Sequence, residues 1–140
     1  MTSLVVDVSV AAKWYLPEDH TDKAEILFAK DIELHVPDLF FPELGNVLWK
    51  RWRRDEIDAD TVADSLDALD TVPFVVHRSR ELLASAVELA MTCQCSVYDA
   101  TYLALAVGKN LQLVTADRRL RNAVKNSLGD DHILWIEELA

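Results

Sequence analysis

Short apolar runs rich in β-branched residues alternate with segments of helical periodicity along the whole chain. This alternation predicts a parallel sheet with helices on both faces, because parallel strands need a long crossover between them. The predicted fold class is therefore α/β, as a three-layer α/β/α sandwich with a central parallel sheet. The predicted strands cover residues 4–6, 34–36, 74–76, 111–115 and 132–136.

Helices are predicted between these strands from their apolar stripes and capping residues. The first is expected to begin at Ser9, whose hydroxyl can cap a helix that runs to Leu16. A second helix is expected after Thr21, and another is expected to start at Asp58 or Asp60. The remaining helices are predicted at 41–54, 82–93, 98–109 and 118–125.

Two aspartates lie just past predicted strands. Asp7 comes after the run at 4–6, and Asp117 follows the last apolar residues of the run at 111–115. Sites in open parallel sheets form at the carboxyl ends of the strands. Both aspartates are therefore expected at the functional edge, and near each other if their strands are neighbours.

Two further acids, Glu43 and Asp99, fall in the first turns of predicted helices. Each of the four acids has an ordinary explanation, since Asp7 and Asp117 can be caps and the other two suit the helix dipole. Four acids flanked by core sequence are, however, expected together at the rim of the core. Like charges there repel unless a cation or a proton neutralises them, and oxygen ligands alone favour magnesium or manganese.

The four acidic segments carry a resemblance to a known family. Their order and spacing, in a chain of 140 residues, resemble the signature of the PIN-domain family. The segments are LVVDVS at 4–9, PELGNVL at 42–48, YDATYLALA at 98–106 and LVTADRRL at 113–120. The resemblance implies a PIN-like fold and metal-dependent cleavage of RNA by an activated water, with Mg²⁺ or Mn²⁺ as cofactor. It assigns metal binding and catalysis to Asp7, Glu43, Asp99 and Asp117.

The same resemblance extends to supporting residues and to partners. Ser9, Asn46 and Thr115 match positions that hold the acids through hydrogen bonds. The stand-alone length resembles VapC-type toxins, the ribonucleases of toxin–antitoxin pairs. This implies an RNA substrate, a cognate antitoxin protein and a homodimer, for which the apolar residues at 14–16 and Trp49 are expected to supply surface.

Charge gives mixed indications about a nucleic-acid partner. The formal net charge of -10 opposes binding to phosphates, although bound divalent cations would offset part of it. Basic residues are clustered, because 8 of the 14 lie within 50–54 and 118–125. Lys50 and Arg54 return to nearly the same helix face as Glu43, so they are predicted to form a substrate-binding ridge. The alternative is that they only suit the carboxyl end of their helix.

Two other function classes fit parts of the pattern. An aspartyl-phosphate phosphatase also places an aspartate after its first strand, but it needs a second one where Ser9 stands. A catalytically inactive module could keep the fold for binding or dimerisation. Such a module would have little reason to retain four like charges at one edge of a sheet.

The length of the chain and its apolar runs indicate the number of domains and the cellular location that we expect. The chain has no repeat, low-complexity tract or linker, so a single domain over residues 1–140 is expected. It shows no basic and apolar leader at the amino end, and no apolar run approaches the length of a bilayer span. A cytoplasmic protein without a membrane partner is expected.

Overall fold

One five-stranded sheet organises the computed structural model, which describes all 140 residues. The strands are β1 Thr2–Val6, β2 Ile32–Pro37, β3 Val75–His77, β4 Gln112–Thr115 and β5 Ile133–Trp135. Their order across the sheet is β3-β2-β1-β4-β5, and every pairing is parallel. The parallel sheet predicted from the alternating pattern is confirmed.

Seven α-helices connect the strands. They are α1 Val8–Ala11, α2 Thr21–Glu25, α3 Phe40–Arg53, α4 Ala59–Leu69, α5 Ser79–Cys93, α6 Val97–Lys109 and α7 Arg118–Leu128. Short 3-10 segments occur at Ala12–Trp14, Ile26–Phe28 and Ile136–Glu138.

The helices form two outer layers because the chain reverses its direction across the sheet. From β1 to β3 the strands are added toward one edge, and from β3 the chain crosses back to β4 and β5. Right-handed crossovers then put α1 to α4 on one face and α5 to α7 on the other. Accordingly, α6 packs on β1, β2 and β4, while α1 contacts α3. The predicted three-layer sandwich is confirmed.

The central position of helix α6 accounts for its apolar sequence. It lies between the sheet and α5, and its residues 100–106 are all buried. The largest fully buried side chains include Tyr102 of this helix and Phe40, Leu44 and Leu48 of α3. No helix is both long enough and apolar enough to cross a membrane.

The first helix differs from its prediction. Asp7, not Ser9, is the amino-terminal cap, because its carboxylate accepts a hydrogen bond from the Val10 amide. Ser9 lies inside the first turn, and its hydroxyl points back to Asp7. The helix tightens into a 3-10 turn that ends at Trp14, so it does not reach Leu16.

Strand neighbours bring the two strand-end aspartates together. β1 pairs with β4 in a register that sets Val6 beside Val114, so Asp7 and Thr115 follow at the same level. The strand order reverses between these two strands, and such a reversal opens a crevice at the carboxyl ends. Loop residues after β1 and β4 therefore face a common space.

Candidate metal centre

Four acids from four separate segments line one cleft at this crevice. Asp7 follows β1, Glu43 lies in the first turn of α3, Asp99 lies in the first turn of α6, and Asp117 caps α7. All four carboxylates line the same cleft. The ordinary explanations also hold, because Asp7 and Asp117 each cap a helix. Capping therefore fixes their orientation without removing them from the cleft.

Asp7 is the most deeply placed of the four acids, with 6% of its surface exposed. Ser9 Oγ donates to its Oδ1, and Thr115 Oγ1 donates to its Oδ2 at 2.6 Å. Burial raises the pKa of Asp7 to about 6, although the hydrogen bonds from Ser9, Thr115 and the Val10 amide oppose the rise. Three donors thus favour the ionised form of a carboxylate whose charge burial disfavours.

The two hydroxyls also join the loops after β1 and β4. Ser9 Oγ accepts a hydrogen bond from the Ala116 amide at 3.0 Å, and Thr115 Oγ1 accepts one from the Asp117 amide at 3.0 Å. The same side chains therefore orient Asp7 and hold the segment that carries Asp117. This double role fixes the spacing of two of the acids through short, directional contacts.

Asp99 is the electrostatic centre of the cluster. Its pKa is raised by burial and by the charge of Asp117. In turn, the charge of Asp99 adds to the burial that raises the pKa of both Asp7 and Glu43. The four like charges are close enough to influence one another, which costs free energy unless a cation neutralises them.

The donor set fits a hard divalent cation. Five carboxylates, those of the four acids and of Glu18, line the cleft without any histidine or cysteine, and such oxygen ligands suit Mg²⁺ or Mn²⁺. The structure has no group of three or more His, Cys, Asp or Glu side chains already arranged to hold a metal ion. Deeply buried Asp7, with no cationic partner of its own, would gain most from a metal.

Three of the sequence-predicted residues neither line the cleft nor make a hydrogen bond to its acids. Asn46 is exposed on α3 and makes no hydrogen bond to any of the acids. Val47, four positions after Glu43, lines the cleft in its place. Lys50 and Arg54 line a separate shallow groove with Trp49 and Arg53.

Comparison with known proteins identifies the family. The family model described as the PIN domain matches residues 4–126.

The chain belongs to the PIN-domain family.

Several PIN-domain relatives resemble the chain over most of its length. Ribonuclease VapC3 of Pyrobaculum aerophilum is 39% identical over 119 residues, which are 84% of this chain and 91% of that protein. Ribonuclease VapC9 of Mycobacterium tuberculosis is 34% identical over 118 residues, covering 84% and 87%.

Two solved structures share the PIN fold. The crystal structure of PAE2754 from Pyrobaculum aerophilum superposes with a TM-score of 0.62 at 28% identity, covering 99% of this chain and 86% of that one. Mycobacterium tuberculosis VapC20, titled a sarcin-ricin loop cleaving toxin, gives a TM-score of 0.64 at 18% identity, covering 86% and 94%. The second likeness concerns the fold alone.

Three charged or polar side chains that line the acidic cleft of this PIN domain were not predicted from the sequence, namely Lys13, Glu18 and Tyr102. Tyr102 was detectable, because it follows Asp99 by three positions and so shares its helix face. Lys13 is the one charged residue in the apolar run at 10–16. Glu18 gave no signal, since it follows a proline in a loop whose path the sequence does not determine.

Tyr102 holds Glu43 in place, which leads to a testable expectation. Its hydroxyl donates to Glu43 Oε1, and the residue is 2% exposed. Tyr102→Phe removes only this donor, so we expect metal affinity or RNA cleavage to fall about 10–100-fold, as for other residues that orient metal ligands. The measurement is Mn²⁺ titration together with cleavage rates.

Tyr98→Phe is the matched control for this variant. Tyr98 lies on the same helix, but it is 64% exposed and makes no hydrogen bond with any of the acids. The control should behave as the unaltered protein. Unchanged metal affinity and cleavage in Tyr102→Phe would show that Glu43 needs no help from the tyrosine.

Proposed function

We propose that this PIN-domain protein is a metal-dependent endoribonuclease that acts as the toxin of a toxin–antitoxin pair in the cytoplasm. The convergence of four carboxylates on one cleft at the switch point of the sheet carries the proposal. The relatives named as VapC ribonucleases support RNA as the substrate. Asp7, Glu43, Asp99 and Asp117 would hold Mg²⁺ or Mn²⁺.

The side chains of the cleft perform separate tasks in this proposal. Bound metal would act as a Lewis acid toward the phosphate and would lower the pKa of an attacking water. Ser9 and Thr115 oppose the rise in the pKa of Asp7 that burial causes, and they orient its two oxygens. Tyr102 sets the orientation of Glu43 across the cleft. The protein itself supplies no nucleophile.

The geometry is unfavourable to the aspartyl-phosphate alternative. An aspartate nucleophile must approach phosphorus with a free oxygen, whereas both oxygens of Asp7 accept hydrogen bonds and the residue is buried. No contact in the structure favours the alternative of a catalytically inactive binding or dimerisation module. Such a module would leave the buried Asp7 and the partly buried Asp99 among like charges with no cation to offset the cost.

The proposed activity is tested by incubating purified protein with a mixed RNA pool and Mg²⁺, with and without a chelator. We expect internal cuts that depend on the metal, and no cuts in the same sequences made as DNA. Mapping the ends would identify the cleaved sequence. Intact RNA under all metal conditions would refute the proposal.

The basic end of α3 supports a path for flanking RNA. Lys50 and Arg54 share their groove with Trp49, and the Arg53 guanidinium lies 5.4 Å from the centre of the Trp49 ring. We propose that phosphates contact the two cations while a base stacks on the half-exposed tryptophan.

For this path we expect Lys50→Ala with Arg54→Ala to weaken RNA binding and to flatten its salt dependence. Each lost phosphate contact should reduce the slope of log K against log salt by about 1. Binding is measured at several salt concentrations in an Asp99→Asn background. Arg78→Ala with Arg80→Ala, which removes two exposed arginines near the start of α5, should leave the slope unchanged. An unchanged slope in both variants would reduce Lys50 and Arg54 to surface charges.

We also propose a homodimer and an antitoxin partner that silences the cleft by placing an arginine or lysine among the carboxylates. Of the residues expected at 14–16 to supply dimer surface, Leu16 is buried, whereas Trp14, which packs against Phe28, and Tyr15 are partly exposed. Trp49 is exposed as predicted. A second apolar stripe on α5 is formed by Leu83, Val87 and Met91.

Light scattering should therefore give twice the monomer mass of 15.8 kDa. Val87→Glu places a charge in the centre of the α5 stripe and should shift the protein toward monomer if that stripe is the contact. Trp49→Glu is the parallel test for the α3 surface. A monomer at every concentration in the unaltered protein would exclude the homodimer.

A further inference from the structure

One cation stands among the acids of the cleft. Lys13 is the only basic residue that lines it, and its side chain is 10% exposed. A buried ammonium costs free energy unless it is paired and hydrogen-bonded. Lys13 therefore needs an acidic partner whose interaction offsets the free energy lost when the ammonium is buried.

The partner that the structure provides is a weak one. Lys13 Nζ lies 3.4 Å from Glu18 Oε1, and it makes no other hydrogen bond or ion pair. An ammonium has three donors, so two of them have no protein acceptor. These donors belong to a side chain on the wall of the cleft that holds the four carboxylates.

Glu18 is not fully available to Lys13, because it is shared. Arg51 of α3 binds the other oxygen of Glu18, and Arg51 also pairs with Glu56 at 3.2 Å. Two cations and two acids thus alternate in a chain that leads into the cleft. Arg51 anchors Glu18, and Glu18 in turn fixes the end of Lys13 without satisfying it.

We propose that Lys13 is a catalytic residue that donates to the non-bridging oxygens of the scissile phosphate, with Glu18 and Arg51 as positioning residues. The proposal rests on the proposed ribonuclease function. During hydrolysis a water oxygen bonds to phosphorus and the bond to the leaving oxygen breaks, while protons from the water pass to the leaving oxygen and to solvent. Lys13 forms no bond and keeps its proton, and its charge offsets the negative charge that grows on the phosphate.

A purely structural role makes a different prediction. In that case Lys13 and Glu18 would only tie the 3-10 turn to the loop after Pro17, and any side chain that donates to Glu18 would suffice. Lys13→Gln separates the two roles, because its amide can donate to Glu18 but carries no charge. Lys13→Arg restores the charge on a side chain of different shape.

The experiment compares Lys13→Gln and Lys13→Arg with the unaltered protein and with Lys23→Met as control. Lys23 is half-buried, and its ammonium donates to the Leu139 carbonyl outside the cleft. Three quantities are measured for each protein: kcat and KM for RNA cleavage, Mn²⁺ affinity, and Tm.

Lys13→Gln should lower kcat about 100-fold, as for removal of one donor to a transition-state oxyanion, while KM changes less than kcat. Its Mn²⁺ affinity should rise, because a positive charge has left the cleft. Lys13→Arg should recover part of the lost kcat, and Lys23→Met should match the unaltered protein in kcat and Mn²⁺ affinity. If Lys13→Gln does not fold, Glu18→Gln is used as the test. Because Glu18 positions Lys13, this variant should show a lower kcat while it is still folded at the assay temperature.

Two failures are distinguishable. A cleavage rate of Lys13→Gln within threefold of that of the unaltered protein, whatever its Mn²⁺ affinity, overturns the role of Lys13 alone. Absence of cleavage by the unaltered protein overturns the proposed function, and the role of Lys13 with it.

Discussion

Asp99→Asn should abolish RNA cleavage and leave the protein folded. Asp99 is the acid whose charge acts on both Asp7 and Glu43, and it is itself affected by Asp117. An asparagine at this position keeps the shape but lacks the charge that holds a divalent cation. A catalytic metal contributes several kcal/mol, so we expect a loss on the order of 1000-fold in kcat.

The control for this variant is Asp67→Asn, which removes an exposed acid from α4 outside the cleft. It should cleave RNA at the unaltered rate. Asp7→Asn should behave as Asp99→Asn does. Full activity in either cleft variant, measured in a preparation free of contaminating nuclease, would remove that residue from the proposed metal centre.

Asp7→Asn should also stabilise the metal-free protein above pH 6. The pKa of Asp7 is about 6 in the folded protein, against an ordinary value of 3.8, because burial disfavours the ionised form. The folded state therefore binds more protons than the unfolded state between these two values. Stability falls as pH rises through this window, and the full cost of the buried charge, about 3 kcal/mol, is present above it.

The asparagine avoids this cost but disturbs the hydrogen bonds with Ser9 and Thr115. We therefore expect a net gain of about 1–2 kcal/mol at pH 7.5, and no gain near pH 4. The measurement is chemical unfolding of both proteins across this range in the presence of a chelator. Added Mg²⁺ should raise the Tm of the unaltered protein more than that of Asp7→Asn. A pH-independent difference would mean that Asp7 does not titrate in this window.

Much of the fold follows from the alternating pattern, because only a sheet covered on both faces buries such short apolar strands. The strand order does not follow from it. The sequence places Asp7 and Asp117 at strand ends, but only the pairing of β1 with β4 brings them side by side. That pairing depends on long-range packing of α6 against three strands.

The candidate site was predictable at its acids and less so around them. Ser9 and Thr115 both contact Asp7, whereas Asn46 turns to solvent. Helix spacing alone cannot fix such orientations, because a residue three positions away can lie on either border of the face. Lys13 lies in an apolar run, so its position in the cleft depends on how the first helix ends. The helix ends in the 3-10 turn at Ala12–Trp14, which has no side-chain cap. The sequence therefore offers no capping residue from which this end could be predicted.

The central claim is that the four acids hold the divalent cation used for RNA cleavage. It is tested most directly by measuring Mn²⁺ binding and RNA cleavage in parallel, as functions of Mn²⁺ concentration, for the unaltered protein and Asp99→Asn. We predict that the two curves of the unaltered protein share a midpoint and that Asp99→Asn shows neither tight binding nor cleavage. Sustained cleavage in excess chelator, or cleavage by Asp99→Asn at the unaltered rate, would contradict the claim.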